Sequence, residues 1–184
     1  CEFDRDKHHA FAKTVAENSI VLLKNNGILP LSAEKKIAFI GKFASEPRYQ
    51  GGGSSHINAS KVSDALTASK EFTSVAYAQG YDVEKDVINE KLFAEAVETA
   101  KNAEIAVIFA GLPDAFESES YDRSHMRLPD CQTKLIEEIS KVQKNIVVVL
   151  HNGSPVEMPW IDDVSAVLEV YLCGQAVGEA TSDI

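Results

Sequence analysis

Short apolar runs alternate along this chain with segments in which apolar residues return every three or four positions. The runs are Ile37–Gly41, Ser74–Ala78, Ile105–Ala110, Ile146–Leu150 and Ala166–Tyr171, each rich in Val, Ile or aromatic residues and bounded by Gly, Asn, Asp or Pro. Such runs predict strands buried on both faces. Between them Phe93, Val97 and Ala100 share one helical face, and Leu135, Ile136, Ile139 and Val142 share another after Pro129-Asp130, a helix start. An earlier helix is predicted from His9 to Leu23, stopped by Asn25-Asn26-Gly27. Buried strands alternating with amphipathic helices predict an α/β fold: a mainly parallel sheet flanked by helices, a three-layer α/β/α sandwich of Rossmann-like or flavodoxin-like topology.

Composition narrows the function classes. With 184 residues, 45% of them hydrophobic and 25% charged, the chain can bury a substantial core as one domain. Its 28 acidic residues against 18 basic give a net charge of −10, which repels a phosphate backbone and argues against a nucleic-acid partner. No apolar run approaches the roughly 20 residues that cross a bilayer, so no membrane association is expected. Cys1, Cys131 and Cys173 make no even framework and read as reduced packing thiols. The chain starts without Met and ends at Thr181–Ile184 in neither a cap nor a turn, so a piece of a longer polypeptide is expected. Its compartment is left open, with the cytoplasm favoured.

The densest chemistry lies in Phe116-Glu117-Ser118-Glu119-Ser120-Tyr121-Asp122-Arg123, directly after the run ending at Ala110. Open α/β sheets present functional loops at the carboxyl ends of their strands. If this segment were extended, Glu117 and Glu119 would point to one side, and their repulsion would raise the pKa of one of them toward that of a general acid. Asp122-Arg123 reads as a structural ion pair before a substrate clamp. Gly51-Gly52-Gly53-Ser54-Ser55-His56 invites a phosphate cradle, yet His56 stands where a dinucleotide fingerprint needs a third glycine, and no Gly-Lys-Ser/Thr ending follows. Flanked by Arg48, Tyr49 and Gln50, it suits sugar hydroxyls better. His151-Asn152-Gly153-Ser154-Pro155 reads as a turn at the same sheet edge, with His151 a satisfied, half-buried histidine. His8-His9 lacks a third ligand and is assigned no metal; no cofactor is expected. Trp160 reads as packing.

In order along the chain, Ala16–Asn25 with Ile28–Leu31, Lys36–Gly41, Arg48–Ser55, Glu117–Arg123 with Leu128-Pro129, and Val147–Pro155 with Gly174–Ala176 resemble blocks of glycoside hydrolase family 3, the β-glucosidase and β-xylosidase family. The resemblance covers nearly the whole chain and is to the family's second, α/β-sandwich domain. It implies that residues 1–30 are an opening helix and linker from an N-terminal barrel domain, and that 31–184 are the sandwich, truncated at its end. It further implies a retaining glycosidase acting on terminal β-D-glucosyl residues, with the nucleophile on the barrel and the acid/base glutamate here. Glu119 is favoured because the family pattern has a glutamate followed by Gly, one residue and Asp-Arg, and Glu117 is the rival. Ser120 stands where that glycine is usual. Gln50, Ser54, Ser55 and His56 are implied to line the mouth of the pocket toward a carbohydrate substrate, with Asp122 and Arg123 shaping the loop. The other reading is a non-catalytic module binding a nucleotide or phosphorylated ligand at Gly51–Ser55; a purely structural domain is a third.

Overall fold

In the computed structural model, which describes residues 3–184, the chain begins with helix α1 (Arg5–Ser19), capped by Asp4 accepting the Lys7 N–H at 3.0 Å. The helix stops earlier than its apolar pattern predicts. Ile20 turns extended, at φ −65° and ψ 137°, and Val21–Asn25 form strand β1. There follow β2 (Ile37–Ile40), the short α2 (Ala65–Ala68), β3 (Val75–Ala78), α3 (Glu90–Lys101) and β4 (Ile105–Gly111). Then come α4 (Asp130–Val142), β5 (Ile146–His151), β6 (Ala166–Glu169) and α5 (Val177–Asp183). All five expected strands are present, and the two central helices start at named caps. The Asn89 side chain accepts the Leu92 N–H at 3.3 Å, and Asp86 accepts the Asp130 and Cys131 N–H groups at 2.9 Å each.

One six-stranded sheet runs in the order β1-β6-β5-β4-β2-β3, with every pairing parallel except β1 against β6. Thus Val21–Asn25, expected as helix and linker, belong to the sheet: Leu22 pairs with Leu168, and β-sheet hydrogen bonds to β6 outweigh the local helical pattern. Among the parallel strands the order β3-β2-β4-β5-β6 is flavodoxin-like, and it reverses between β2 and β4.

The strands bury both faces. Ile40, Leu135 of α4 and Ala96 of α3 meet at Gly80 on one side, while Phe39, Phe109, Val149 and Leu168 share the other with Ala65 of α2 and Thr181 of α5 around an apolar hollow of about 520 Å³. Gly111 is required by close approach: a Cβ there would lie 2.0 Å from the His151 carbonyl oxygen. Cys131 is buried and Cys173 half-buried, neither in a disulfide, and Cys1 lies outside the described residues. Among the described residues no helix is long and apolar enough to cross a membrane.

Candidate active site

Strand order reverses between β2 and β4; a hollow lined by Phe43, Arg48, Val83 and Asp114 opens at their carboxyl ends, and Arg48, Glu117 and Gly153, from the loops after β2, β4 and β5, meet beside it. The loop after β4 is not extended. Phe116 and Glu117 both donate N–H bonds to the Pro113 carbonyl, at 2.8 and 3.1 Å, and Ser118 bridges to Gly52 of the glycine-rich loop and to Tyr121. At φ 64° Ser120 adopts the left-handed conformation a glycine would take readily, so the serine keeps a glycine-type turn.

That turn sends the two glutamates to different partners. Glu117 takes a hydrogen bond from Arg48 Nη1 at 2.6 Å, from the Gly153 N–H at 2.9 Å, and from the Ser154 hydroxyl. Arg48 has its side chain only 5% exposed, and it also donates to the carbonyls of Leu112 and Glu117 and, at 3.0 Å, to Asp114. Burial works against the Glu117 charge, but Ser154, Gly153 and Arg48 together hold its carboxyl below the usual range. The expectation of one raised glutamate is therefore corrected: repulsion between the pair does not govern either.

Glu119 lies in the open. One carboxylate oxygen accepts the Ser54 N–H at 2.6 Å, and Ser54, through side chain and backbone, keeps this carboxyl below its ordinary value too. The contact explains the glycines. Gly53, at φ +92°, would place a Cβ 2.5 Å from Glu119 Cβ, and Gly52 one 2.9 Å from Ser118 Cβ. The glycine-rich loop is thus a seat for the acidic loop.

The remaining expected residues fall around this seat. Gln50 is engaged within its own loop, accepting the Ile57 N–H at 2.9 Å and donating to the Tyr49 hydroxyl and the Ile57 carbonyl at 3.0 Å each. Its amide also approaches His56 Nδ1 at 3.2 Å; His56 and Ser55 are exposed, and the Ser55 hydroxyl donates to the Gly51 carbonyl at 3.4 Å. Asp122 and Arg123 form no ion pair among the described residues. Arg123 instead donates to Ser154 Oγ and the Pro155 carbonyl at 2.9 Å each, linking the acidic loop to the turn after β5. Beside them opens a hollow of about 500 Å³ lined by Phe116, Tyr121, Arg123, His125 and Met126.

Sequence reasoning does not pair Arg48 with Glu117, nor Ser54 with Glu119, because each contact joins positions far apart in the chain. An arginine placed just before the glycine-rich run of so acidic a chain is the available signal. His151, expected as a satisfied, half-buried histidine, is instead fully buried and only half satisfied: its Nδ1–H donates to the Arg48 carbonyl at 3.4 Å, Nε2 has no partner among the described residues, and burial lowers its pKa to about 4, so the ring is neutral. His9 is also engaged, donating to Glu179 at 2.9 Å and accepting from Gln175 at 2.8 Å. Trp160 is core. Among the described residues no group of three His, Cys, Asp or Glu side chains could hold a metal ion.

Glu169 is not singled out by its sequence. Seated at the end of β6, it accepts from Asn152 at 2.8 Å and from the Tyr171 N–H at 2.9 Å, and burial pushes its carboxyl up to about 7, against those two bonds. An unfolded glutamate titrates near its ordinary 4.5, so between pH 4.5 and 7 the folded chain holds a proton that the unfolded chain has released. Stability therefore falls as pH rises through that window. Glu169→Gln is expected to raise stability by on the order of 2 kcal/mol at pH 8 and by little at pH 4, read from urea unfolding at both pH values. An equal effect at both pH values would rule out the buried charge as its cause.

Over residues 20–184 the chain matches the model of the Glycosyl hydrolase family 3 C-terminal domain. It is 50% identical over 188 residues to the thermostable beta-glucosidase B of Acetivibrio thermocellus, covering 100% of this chain and 25% of that protein. It is 42% identical over 194 residues to an exo-alpha-(1->6)-L-arabinopyranosidase of Bifidobacterium longum, covering 99% of this chain and 26% of that one. The crystal structure of a GH3 beta-glucosidase from Bifidobacterium adolescentis superposes with a TM-score of 0.95 at 45% identity, over 100% of this chain and 27% of that one. The chain thus spans about a quarter of the length of these relatives.

Proposed function

Because the chain belongs to glycosyl hydrolase family 3, as its C-terminal α/β domain, we propose that it supplies the acid/base carboxyl of a retaining β-glycosidase, and that Glu119 is that group. The observation that carries the assignment is the contrast between the two glutamates: Glu117 is saturated by Arg48, Gly153 and Ser154, whereas Glu119 stands exposed on a seated loop with Ser54 as its partner. A proton donor must reach the leaving oxygen and release its proton, which a carboxylate already tied to a buried guanidinium does poorly.

In the proposed reaction a carboxylate on an N-terminal barrel domain attacks the anomeric carbon while Glu119 protonates the departing glycosidic oxygen. Glu119 then takes a proton from water, whose oxygen displaces the enzyme carboxylate and releases the sugar with retained configuration. Such chemistry sets the two carboxyl groups about 5–5.5 Å apart. Terminal β-glucosides are the proposed substrates, as the beta-glucosidase names of relatives suggest. Ser54, Ser55 and His56 stand on the exposed rim beside Glu119, with Gln50 bracing that rim and Asp122 and Arg123 at the base of the acidic loop. The glycine loop offers a phosphate little, since the Ser54 N–H is already turned to a carboxylate of the same chain.

Azide tests the assignment. In the longer polypeptide carrying this chain and the barrel, Glu119→Ala turning over 2,4-dinitrophenyl β-glucoside is expected to accelerate with sodium azide and to yield β-glucosyl azide. Azide needs no general base, so it replaces the water that Glu119 would activate. If Glu119→Ala ignores azide while Glu117→Ala forms the β-azide, the role passes to Glu117.

A further inference from the structure

The segment from Arg48 to Ser54 grips the acidic loop at two points. At the tip, Ser54 and Gly53 seat Glu119. At the root, four acceptors surround one guanidinium: the Leu112 and Glu117 carbonyls, Glu117 Oε2 at 2.6 Å and Asp114 Oδ1 at 3.0 Å. All four lie on the stretch leaving β4, and the last of them in the chain is two residues from Glu119. From these contacts we infer that Arg48 is a positioning residue for proton transfer, acting through its clamp on Glu117 to fix the acidic loop beneath Glu119. The inference rests on Glu119 being the proton donor.

Only an arginine fills this place. Its planar fork directs donors to several acceptors at once, whereas a lysine ammonium at the end of a flexible stem serves them one geometry at a time. The backbone of Arg48 is itself held, accepting from buried His151 on β5, so the guanidinium is anchored to the sheet. The pair sits at the carboxyl edge of the sheet rather than in the apolar core, and every bond of its fork goes to the stretch from Leu112 to Glu117 that leads from β4 into the acidic loop. Loosening it should therefore be felt where the loop meets the leaving oxygen and much less in the capture of the sugar. A carboxyl displaced by about 1 Å loses on the order of 10²-fold of its effect.

The test compares leaving groups in the full-length enzyme. Leaving oxygens of alkyl β-glucosides need the proton; 2,4-dinitrophenolate departs without it. Arg48→Lys is expected to lower kcat/KM by about 10–100-fold on an alkyl β-glucoside and by less than about 3-fold on the dinitrophenyl β-glucoside. Glu117→Gln, which weakens the same clamp from its other side, is expected to show the same split, and it decides the matter alone if Arg48→Lys does not fold. Equal losses on both substrates, or no loss on either, overturn the inference. Glu119→Gln run in parallel separates the claims. If it shows the split and the clamp variants do not, only the positioning role falls; if it shows none, both fall.

Discussion

Glu119→Gln in the full-length enzyme is expected to lower kcat/KM for an alkyl β-glucoside by about 10²–10⁴-fold, the usual contribution of a positioned general acid. Ser54 keeps the Glu119 carboxyl below its ordinary pKa, a state suited to a base and not to an acid. In the proposed role the proton would be secured by what the catalytic complex adds: a second carboxylate about 5–5.5 Å away and the exclusion of water, both of which disfavour a second negative charge. In that proposed reaction the nucleophile's charge would disappear once it becomes an ester, and the Ser54 contact would return Glu119 to the base-like state that the second step needs. Three outcomes follow for Glu119→Gln. Loss on the alkyl glucoside is severe, kcat/KM on dinitrophenyl β-glucoside changes little, and KM for that substrate falls because the glycosyl-enzyme accumulates. The alkaline limb of the kcat/KM profile, set by deprotonation of the acid, should vanish with it. A variant that keeps that limb, or loses the same factor on both substrates, would show that the acid lies elsewhere.

How much of this is legible in the sequence depends on the range of the interactions. Strands buried on both faces announce themselves as continuous apolar runs, so Ile105–Ala110 and Ile146–Leu150 are readable, and strand–helix alternation leads to the parallel sheet. β1 is not readable. Val21, Leu22 and Leu23 are exposed on an antiparallel edge, follow a helix without an intervening glycine, and continue its apolar pattern; β6 decides their conformation from across the sheet. The acidic loop is legible as a candidate site because its carboxylates are close together in the chain. Their different hydrogen-bond partners are not, since these are Arg48, Ser54, Gly153 and Ser154, which the topology delivers from the loops after β2 and β5. Glycines at 51–53 suggest freedom to approach a ligand. Gly52 and Gly53 do permit close approach, but the approaching groups are Ser118 and Glu119.

Gly53→Ala should expose that dependence, with an expected loss of about 10²-fold in kcat/KM on an alkyl β-glucoside and little change in fold. Two effects combine. The backbone at φ +92° strains any residue with a Cβ, and the new methyl would lie 2.5 Å from Glu119 Cβ and 2.7 Å from its Oε2. Rotation of the carboxyl can relieve the second contact but not the first, so the two loops must part, and the 2.6 Å bond from Ser54 opens with them. Gly27→Ala separates strain from displacement. Gly27 has nearly the same backbone, φ +89°, with nothing within 4 Å of its added Cβ. Both variants should lose about 1–2 kcal/mol of stability from the left-handed backbone, a modest drop in thermal midpoint. Only Gly53→Ala should lose turnover, and its loss should be concentrated on substrates with poor leaving groups, because Glu119 has moved while the rest of the site has not. Parental kcat/KM in Gly53→Ala, beside an intact Gly27→Ala control, would mean that the glycine loop does not set the position of the acid.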